Sequence, residues 1–337
     1  MIVVTGAAGL FGVNFIQYLL STTNETIVAI DSLFGGNADY IPMDDRVIFM
    51  KGDLSDKTFQ KNFEAAIFQK TPVSYVFHFA AYAAEGLSPF IRCFNYENNV
   101  VSTAYIVNLC IQYGVKRLIF TSSMAVYGEQ VPPFAESMVP KPIDPYGVAK
   151  YAAEMDIQIA QNQHGLEFCI IRPHNVYGPY QNIWDPYRNV LGIWMYKSLT
   201  GQPMTIYGDG LQERAFSYIE DVLPCLWKAA TDSRAKNQII NVGGIKNYSL
   251  NETAHLISEI TGNQEIVYLE PRHEVKYAYS THQKSVDLLD FEDRTSLKDG
   301  LQRMWDWAKK QPSREQKRWE TYEIDKGLYS YWQPKKV

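Results

Sequence analysis

The sequence predicts an α/β protein, a doubly wound parallel sheet with helices on both faces followed by a second, smaller α/β lobe. In the first half of the chain, short β-branched or aromatic runs alternate with helical patterns. Beyond about residue 176 this alternation fades, and proline, glycine, tyrosine and tryptophan become frequent. We therefore predict a sheet domain at residues 1–175 and a smaller lobe, partly interleaved with it, at residues 176–337.

A glycine-rich turn follows the first strand and opens a helix. The apolar run at 2–4 leads into Gly6, Gly9 and Gly12. Glycines let the backbone approach a phosphate, and a helix N-terminus offers free N–H groups. Asp31 ends the second strand about 20 residues later, where an acid bonds a ribose hydroxyl and repels a 2′-phosphate. This spacing predicts a dinucleotide site that prefers NAD to NADP, although the glycines alone are also compatible with a purely structural turn.

The remaining elements are expected at regular intervals. Further strands are predicted at 47–50, 74–79, 117–120 and 168–171. Helices are predicted after Gly52-Asp53-Leu54 to about Gln69, at 96–113 and from Tyr146 onward. In the smaller lobe, helices are predicted near 187–200, 219–231, 250–261 and 297–310. Ligands bind such sheets outside the carboxyl ends of the strands, which is where Gly9, Asp31, Ala80 and Ser123 fall.

Composition narrows the functional classes. A net charge of -5 with 20% charged residues indicates no nucleic-acid partner. No apolar run approaches membrane-spanning length, and the first strand starts at the N-terminus without a signal peptide. Four cysteines without a CxxC pair fit free thiols, so we expect a cytoplasmic protein. Histidines without HExxH spacing predict no catalytic metal, and His78 is expected to pack internally. Residues 333–337 are expected to form a loose basic end.

Tyr146 and Lys150 stand one helical turn apart, which places them on the same face of a helix. A free tyrosine titrates near pH 10 and is a poor base at neutral pH. A fixed cation stabilises the phenolate and lowers that pKa. The pair therefore predicts a general base, although the same spacing also occurs by chance on amphipathic helices.

Seven motifs stand along the chain in a fixed order and spacing. They are Gly6-x-x-Gly9-x-x-Gly12, Asp31, Gly52-Asp53-Leu54, His78-Phe79-Ala80-Ala81, Ser122-Ser123-x-x-Val126-Tyr127-Gly128, Tyr146-x-x-x-Lys150 and Arg172-Pro173-x-Asn175-Val176-Tyr177-Gly178-Pro179. Together they resemble the extended short-chain dehydrogenases, in particular the NAD-dependent nucleotide-sugar epimerases and dehydratases, and among them most closely the UDP-glucose 4-epimerases. The resemblance covers nearly the whole chain and implies a Rossmann domain for the first part.

The resemblance also implies residue roles. In this family NAD stays bound, and the tyrosine takes a proton from a sugar hydroxyl while hydride leaves the same carbon. The implied catalytic residues are Ser123, Tyr146 and Lys150. The implied cofactor-binding residues are Gly6, Gly9, Leu10, Phe11, Gly12, Asp31, Asp53, Leu54, Ala80, Ala81, Tyr146, Lys150 and Pro173. The implied residues for a nucleotide-diphospho-sugar are Ser123, Asn175, Arg188, Asn189, Arg214 and Arg272.

The positions after Ser123 narrow the implied reaction. Related 4,6-dehydratases place Asp-Glu there, whereas this chain has Met124 and Ala125, whose side chains cannot act as an acid or a base. We therefore expect 4-epimerisation of the UDP-glucose/UDP-galactose type through a transient 4-keto sugar. A nucleotide-sugar 4,6-dehydratase or 4-ketoreductase remains the alternative, with Glu85 or Glu129 as a donor from elsewhere. A non-catalytic NAD-binding regulator is the third hypothesis.

The resemblance leaves the sugar open and suggests a dimer. UDP-galactose epimerases often keep a lysine where this chain has Ala83. Many relatives dimerise through two long helices, here at about 96–113 and 146–163. We therefore expect a homodimer.

Overall fold

The computed structural model describes residues 1–333, so the end predicted at 333–337 lies outside it except for Gln333. Fourteen strands are present in the described chain: β1 Ile2–Thr5, β2 Ile27–Asp31, β3 Val47–Lys51, β4 Tyr75–His78, β5 Arg117–Thr121, β6 Phe168–Pro173, β7 Val176–Tyr177, β8 Met204–Tyr207, β9 Glu213–Ala215, β10 Ser217–Tyr218, β11 Gln238–Val242, β12 Asn247–Ser249, β13 Ile266–Leu269 and β14 Tyr277–Ala278.

Ten α-helices cover most of the rest: α1 Leu10–Thr22, α2 Lys57–Phe63, α3 Arg92–Tyr96, α4 Ser102–Gln112, α5 Pro145–His164, α6 Val190–Leu199, α7 Ile219–Thr231, α8 Leu250–Thr261, α9 Gln283–Leu289 and α10 Leu297–Ala308. None of the helices within residues 1–333 is long and apolar enough to cross a membrane.

The core of the molecule is a seven-stranded parallel sheet with the order β3–β2–β1–β4–β5–β6–β11. Its central strands carry continuous apolar runs because helices cover both faces, and Ile2, Val3 and Val4 are fully buried. The strand order reverses between β1 and β4, which is the switch point where such sheets bind ligands. The predicted doubly wound fold is confirmed.

The second half of the chain contributes both to this sheet and to a smaller lobe. Strand β11 joins the edge of the large sheet, and α7 packs against α1 on one of its faces. The smaller lobe pairs β8 with β13 and places β9 between β12 and β14, over a core formed with α6, α8 and α10. The division at residue 176 stays a prediction, and β11 lies beyond it.

One predicted helix has different bounds. The expected helix at 96–113 begins at Arg92 and runs to Gln112, with a π turn at Glu97–Val101 joining α3 to α4. The Glu323 carboxylate accepts hydrogen bonds from the backbone N–H groups of Cys93 and Phe94. A carboxylate satisfies the free N–H groups of a helix start. Since this acid lies about 230 positions away, local sequence could not reveal the earlier start.

A buried ion pair ties α5 to the sheet. The Arg172 guanidinium donates to both oxygens of Glu154 at 2.9 and 2.6 Å, and also to the Tyr127 hydroxyl at 2.8 Å. The Glu154 carboxylate additionally accepts from the Ser122 hydroxyl. Both charged side chains are almost fully excluded from solvent. Bidentate geometry of this kind compensates the desolvation of both charges.

We predict that Glu154→Ala lowers the free energy of unfolding by about 3–5 kcal/mol, because it leaves Arg172 buried without a counter-charge. As a control, Glu259→Ala breaks the Lys298–Glu259 pair, in which both side chains are 60% exposed, and should change stability by less than about 1 kcal/mol. Urea denaturation of both variants measures the difference. Equal losses would contradict the role assigned to the buried pair.

Candidate active site

The glycine turn after β1 is shaped by close backbone contacts. Gly6 has φ of +67°, and a Cβ there would lie 2.8 Å from the Ala80 nitrogen. A Cβ on Gly12 would lie 2.3 Å from the Gly6 carbonyl oxygen. Only glycine fits either position, because one needs a left-handed backbone and both exclude a side chain. The turn thus brings the N-terminus of α1 to the carboxyl end of the sheet, where its free N–H groups can meet a phosphate.

Asp31 lies at the end of β2 beside this turn. Its Oδ2 accepts from the Ala8 nitrogen at 3.0 Å, and its Oδ1 accepts from the Leu33 nitrogen at 2.7 Å. Burial raises the pKa of Asp31, while these two hydrogen bonds oppose the shift. The carboxylate is therefore held in one orientation at the place where the sequence predicts a ribose hydroxyl.

A cavity of about 400 Å³ runs from this turn across the ends of the strands to the smaller lobe. Of the predicted site residues, Gly12 does not line it and instead packs under the turn. The others do line it: Gly6, Gly9, Leu10, Phe11, Asp31, Asp53, Leu54, Ala80, Ala81, Ser123, Tyr146, Lys150, Pro173, Asn175, Arg188, Asn189, Arg214 and Arg272.

The start of α5 positions the two predicted catalytic side chains. Asp144 caps the helix by accepting from the Gly147 nitrogen at 2.9 Å. The Tyr146 nitrogen donates to the Ser88 hydroxyl at 3.1 Å. The Lys150 ammonium donates to the Thr121 carbonyl at the end of β5 at 2.8 Å, and lies 5.9 Å from the centre of the Tyr146 ring. The cap and these two anchors fix both side chains at the cavity wall.

Burial dominates the electrostatics of this pair. It lowers the pKa of Lys150 to about 7, although Glu154 acts in the opposite direction. It raises the pKa of Tyr146, and the nearby Glu85 carboxylate raises it further, while the Ser123 hydroxyl lowers it. In the polypeptide by itself burial opposes the lowering of the Tyr146 pKa by Lys150, because removal of both groups from water favours their neutral forms. The predicted lowering also relies on the positive charge of NAD⁺ and stays a prediction.

Ser123 has two structural relationships. Its hydroxyl accepts from the Ala125 nitrogen at 3.1 Å, which caps the short turn after β5. The same side chain lines the cavity and acts on the Tyr146 phenol. Met124 also lines the cavity. Glu129 does not line it, whereas Glu85 does, so Glu85 is the better placed of the two suggested additional acids.

Two arginines of the smaller lobe converge on one carboxylate that the sequence interpretation missed. The Oε2 atom of Glu274 lies 3.4 Å from Arg214 Nη2 and 3.3 Å from Arg272 Nη2. The Arg214 guanidinium also donates to the Val275 carbonyl at 2.6 Å, and the Arg272 guanidinium lies over the Tyr207 ring at 4.7 Å. The carboxylate thus holds two guanidiniums side by side, an arrangement suited to a diphosphate.

The other predicted substrate residues have structural partners of their own. Arg188 forms an ion pair with Asp185 at 3.0 Å and lies 4.4 Å over the Tyr82 ring. Asn175 donates to the Ala215 carbonyl at 3.0 Å, and Asn189 caps α6. Each lines the cavity while holding the segment that carries it.

The C-terminal strap, residues 311–333, packs against residues that line the cavity. The sequence analysis did not predict this packing. The Trp319 ring packs near Tyr82, and the Trp332 ring lies 5.0 Å from that of Tyr187. A Cβ on Gly86 would lie 3.5 Å from Trp332. Five aromatic residues between positions 319 and 332 were the available signal, since such density in an apparent tail indicates packing rather than a free end.

His78 is a packed residue, as expected. Its Nδ1 lies 2.7 Å from the Thr5 hydroxyl and its Nε2 lies 3.0 Å from the Thr103 hydroxyl. Full burial lowers its pKa to about 3, so the ring stays neutral.

Comparison with known proteins decides the family. The sequence model of the NAD dependent epimerase/dehydratase family matches residues 2–243. This chain belongs to the NAD-dependent epimerase/dehydratase family. The glycine turn and Asp31 fit the dinucleotide that the family uses, because both line the same cavity and supply the close backbone approach and the acid that such a cofactor needs.

Individual relatives cover almost the whole chain. A putative UDP-glucose 4-epimerase of Methanocaldococcus jannaschii is 32% identical over 92% of this chain and 98% of its own length. The structure of a Thermotoga maritima UDP-glucose 4-epimerase with UDP-glucose superposes with a TM-score of 0.82 at 30% identity, covering 91% and 97% of the two chains. A Bacillus cereus UDP-glucuronic acid 4-epimerase with UDP-glucuronic acid and NAD gives 0.82 at 28% identity, covering 91% and 98%.

Proposed function

We propose that this protein is an NAD-dependent nucleotide-sugar 4-epimerase that interconverts sugars of the UDP-glucose/UDP-galactose type. The observation that carries the proposal is the shared cavity of Tyr146, Lys150 and Ser123, with Met124 and Ala125 following where a dehydratase needs an acid and a base. The relatives named as UDP-sugar 4-epimerases support the same reaction.

In this proposal Tyr146 takes the proton of the sugar C4 hydroxyl, and Ser123 hydrogen-bonds the same oxygen and shares its proton. NAD, when bound, would supply the acceptor and later the donor of the C4 hydride. Lys150, anchored on Thr121, would hold the nicotinamide ribose and favour the phenolate once further positive charge is present. Arg214 and Arg272 bind the diphosphate, so the keto sugar can turn over in the cavity while its nucleotide remains held.

We predict that Tyr146→Phe reduces turnover by at least about a hundredfold, because general-base catalysis is lost, while NAD binding persists. Proton NMR of UDP-glucose, UDP-galactose and their N-acetyl and uronate analogues follows interconversion. Ser21→Ala, a change on exposed residue Ser21 of α1, is the control and should leave turnover unchanged. Full activity in Tyr146→Phe would contradict an enzymatic role for the phenol and favour the regulator hypothesis.

Incubation in deuterated water separates the epimerase from the 4,6-dehydratase, the alternative favoured by the position of Glu85 in the cavity. A 4-epimerase returns the original hydride, so its product carries no solvent deuterium at C4 or C5. A dehydratase incorporates deuterium at C5 and yields a 4-keto-6-deoxy sugar. That second product would contradict the proposed function.

We also propose a homodimer formed through α3–α4 and α5. These helices pack together and leave apolar side chains exposed: Val148, Met155 and Ile159 on α5 and Val101 beside them are each 41–48% exposed. The α5 residues stand seven and four positions apart and share one face. A second copy that presents the same face would cover them in a four-helix interface.

We further propose a cytoplasmic location, supported by the four cysteines, which are free thiols in the described chain.

We predict that Ile159→Asp converts the dimer to a monomer, because a charge in the centre of an apolar interface is left unpaired. Multi-angle light scattering should give twice the 38.6 kDa chain mass for the unaltered protein and one chain mass for the variant. Val131→Asp, at a loop residue that is 84% exposed, should remain dimeric. A monomeric unaltered protein would contradict the proposed interface.

A further inference from the structure

Two carboxyl groups form an acidic corner, defined by Glu85, which lines the cavity, and Asp144, which stands at the start of α5. The Ser88 hydroxyl donates to the Glu85 carbonyl at 2.8 Å and accepts from the Tyr146 nitrogen at 3.1 Å. These two bonds join the turn that carries Glu85 to the first turn of α5, which Asp144 caps. The Glu85 side chain is exposed to the interior of the cavity. Neither carboxyl has a part in the proposed epimerisation.

The acidic corner lies alongside the position of the hexose. Glu85 lines the cavity together with Tyr146 and Arg214, and its charge acts on both of them. If Tyr146 meets C4 and the arginines meet the diphosphate on C1, the hexose lies along the wall that Glu85 shares with them. An additional charge on the sugar would therefore be close to this carboxylate.

The cavity has no spare cation to receive such a charge. Among the residues that the structure places along its wall, four acids balance four bases: Asp31, Asp53, Glu85 and Glu274 against Lys150, Arg188, Arg214 and Arg272. Lys150 is anchored on the Thr121 carbonyl and Arg188 on Asp185. Both remaining arginines already share Glu274 and would also face the diphosphate. A sugar carboxylate would add a negative charge without a partner.

We propose that Glu85 makes this enzyme select nucleotide hexoses with an uncharged C6 group and discriminate against uronates. The inference rests on the proposed 4-epimerase function and names the substrate class of that same site. It distinguishes this chain from the Bacillus cereus relative, whose structure contains UDP-glucuronic acid.

Selection of this kind depends on pH. Surrounding protein atoms and the nearby Asp144 raise the pKa of Glu85, and Arg214 and Arg272 oppose the shift. Water in the cavity weakens the burial contribution because the side chain is exposed there. The remaining ionisable groups around the acidic corner are Tyr146, Glu274 and His273. A raised pKa means that Glu85 begins to take up its proton at a higher pH than a free glutamate, so discrimination against uronates weakens as pH falls.

The test compares kcat/KM for UDP-glucose and UDP-glucuronate in the unaltered enzyme, Glu85→Gln and Glu129→Gln. We expect the uronate to be at least about tenfold less efficient with the unaltered enzyme, and Glu85→Gln to raise the uronate-to-glucose ratio by about tenfold. Glu129→Gln makes the same charge change at an exposed residue outside the cavity and should leave the ratio unchanged. Equal efficiencies in the unaltered enzyme, or an unchanged ratio in a folded Glu85→Gln, would overturn the inference.

Two further measurements test the inference if Glu85→Gln does not fold or if the protein proves not to be an epimerase. If Glu85→Gln does not fold, the ratio in the unaltered enzyme between about pH 8 and about pH 6 decides, since it should rise on acidification, and a flat profile would contradict the inference. If no sugar is interconverted, the proposed function fails. Calorimetry can then still compare the affinities for UDP-glucose and UDP-glucuronate. Equal affinities would overturn the inferred discrimination against uronates.

Discussion

The hydrogen bond from the Lys150 ammonium to the Thr121 carbonyl is the contact on which the site depends. It joins the second turn of α5 to the end of β5, so that the helix cannot rotate without breaking it. Tyr146 is one turn earlier on the same helix, so its position is fixed by the same hydrogen bond. The buried Glu154–Arg172 pair then holds α5 against β6. The sheet thus sets the position of the phenol relative to the glycine turn.

Burial of Lys150 and Tyr146 in the cavity wall shifts the pKa of both side chains. Burial pushes Lys150 and Tyr146 toward their neutral forms, so the polypeptide alone keeps the phenol protonated. Deprotonation then requires positive charge from outside the chain, which oxidised NAD carries on its nicotinamide. Such an arrangement would make the base available when the hydride acceptor is also in place.

Local patterns were sufficient for the sheet, the glycine turn and the Tyr146–Lys150 pair, because each depends on residues close together in sequence. The start of α3 at Arg92 was not predictable, since its capping acid is Glu323. Glu274 and the C-terminal strap were missed for the same reason, as their partners lie in distant segments. Spacing correctly suggested that Lys150 lies beside Tyr146, but burial, which sets the pKa of both, is a property of the folded chain.

The most direct test of this account is a pH titration of phenolate absorbance, taken as the difference between the unaltered protein and Tyr146→Phe. We expect a pKa above about 10 for Tyr146 in the protein alone, and a fall of at least about one unit when NAD⁺ is saturating. NADH, which lacks the nicotinamide charge, should produce a smaller fall. A phenol already ionised near neutral pH without cofactor, or one whose pKa does not respond to NAD⁺, would contradict the account.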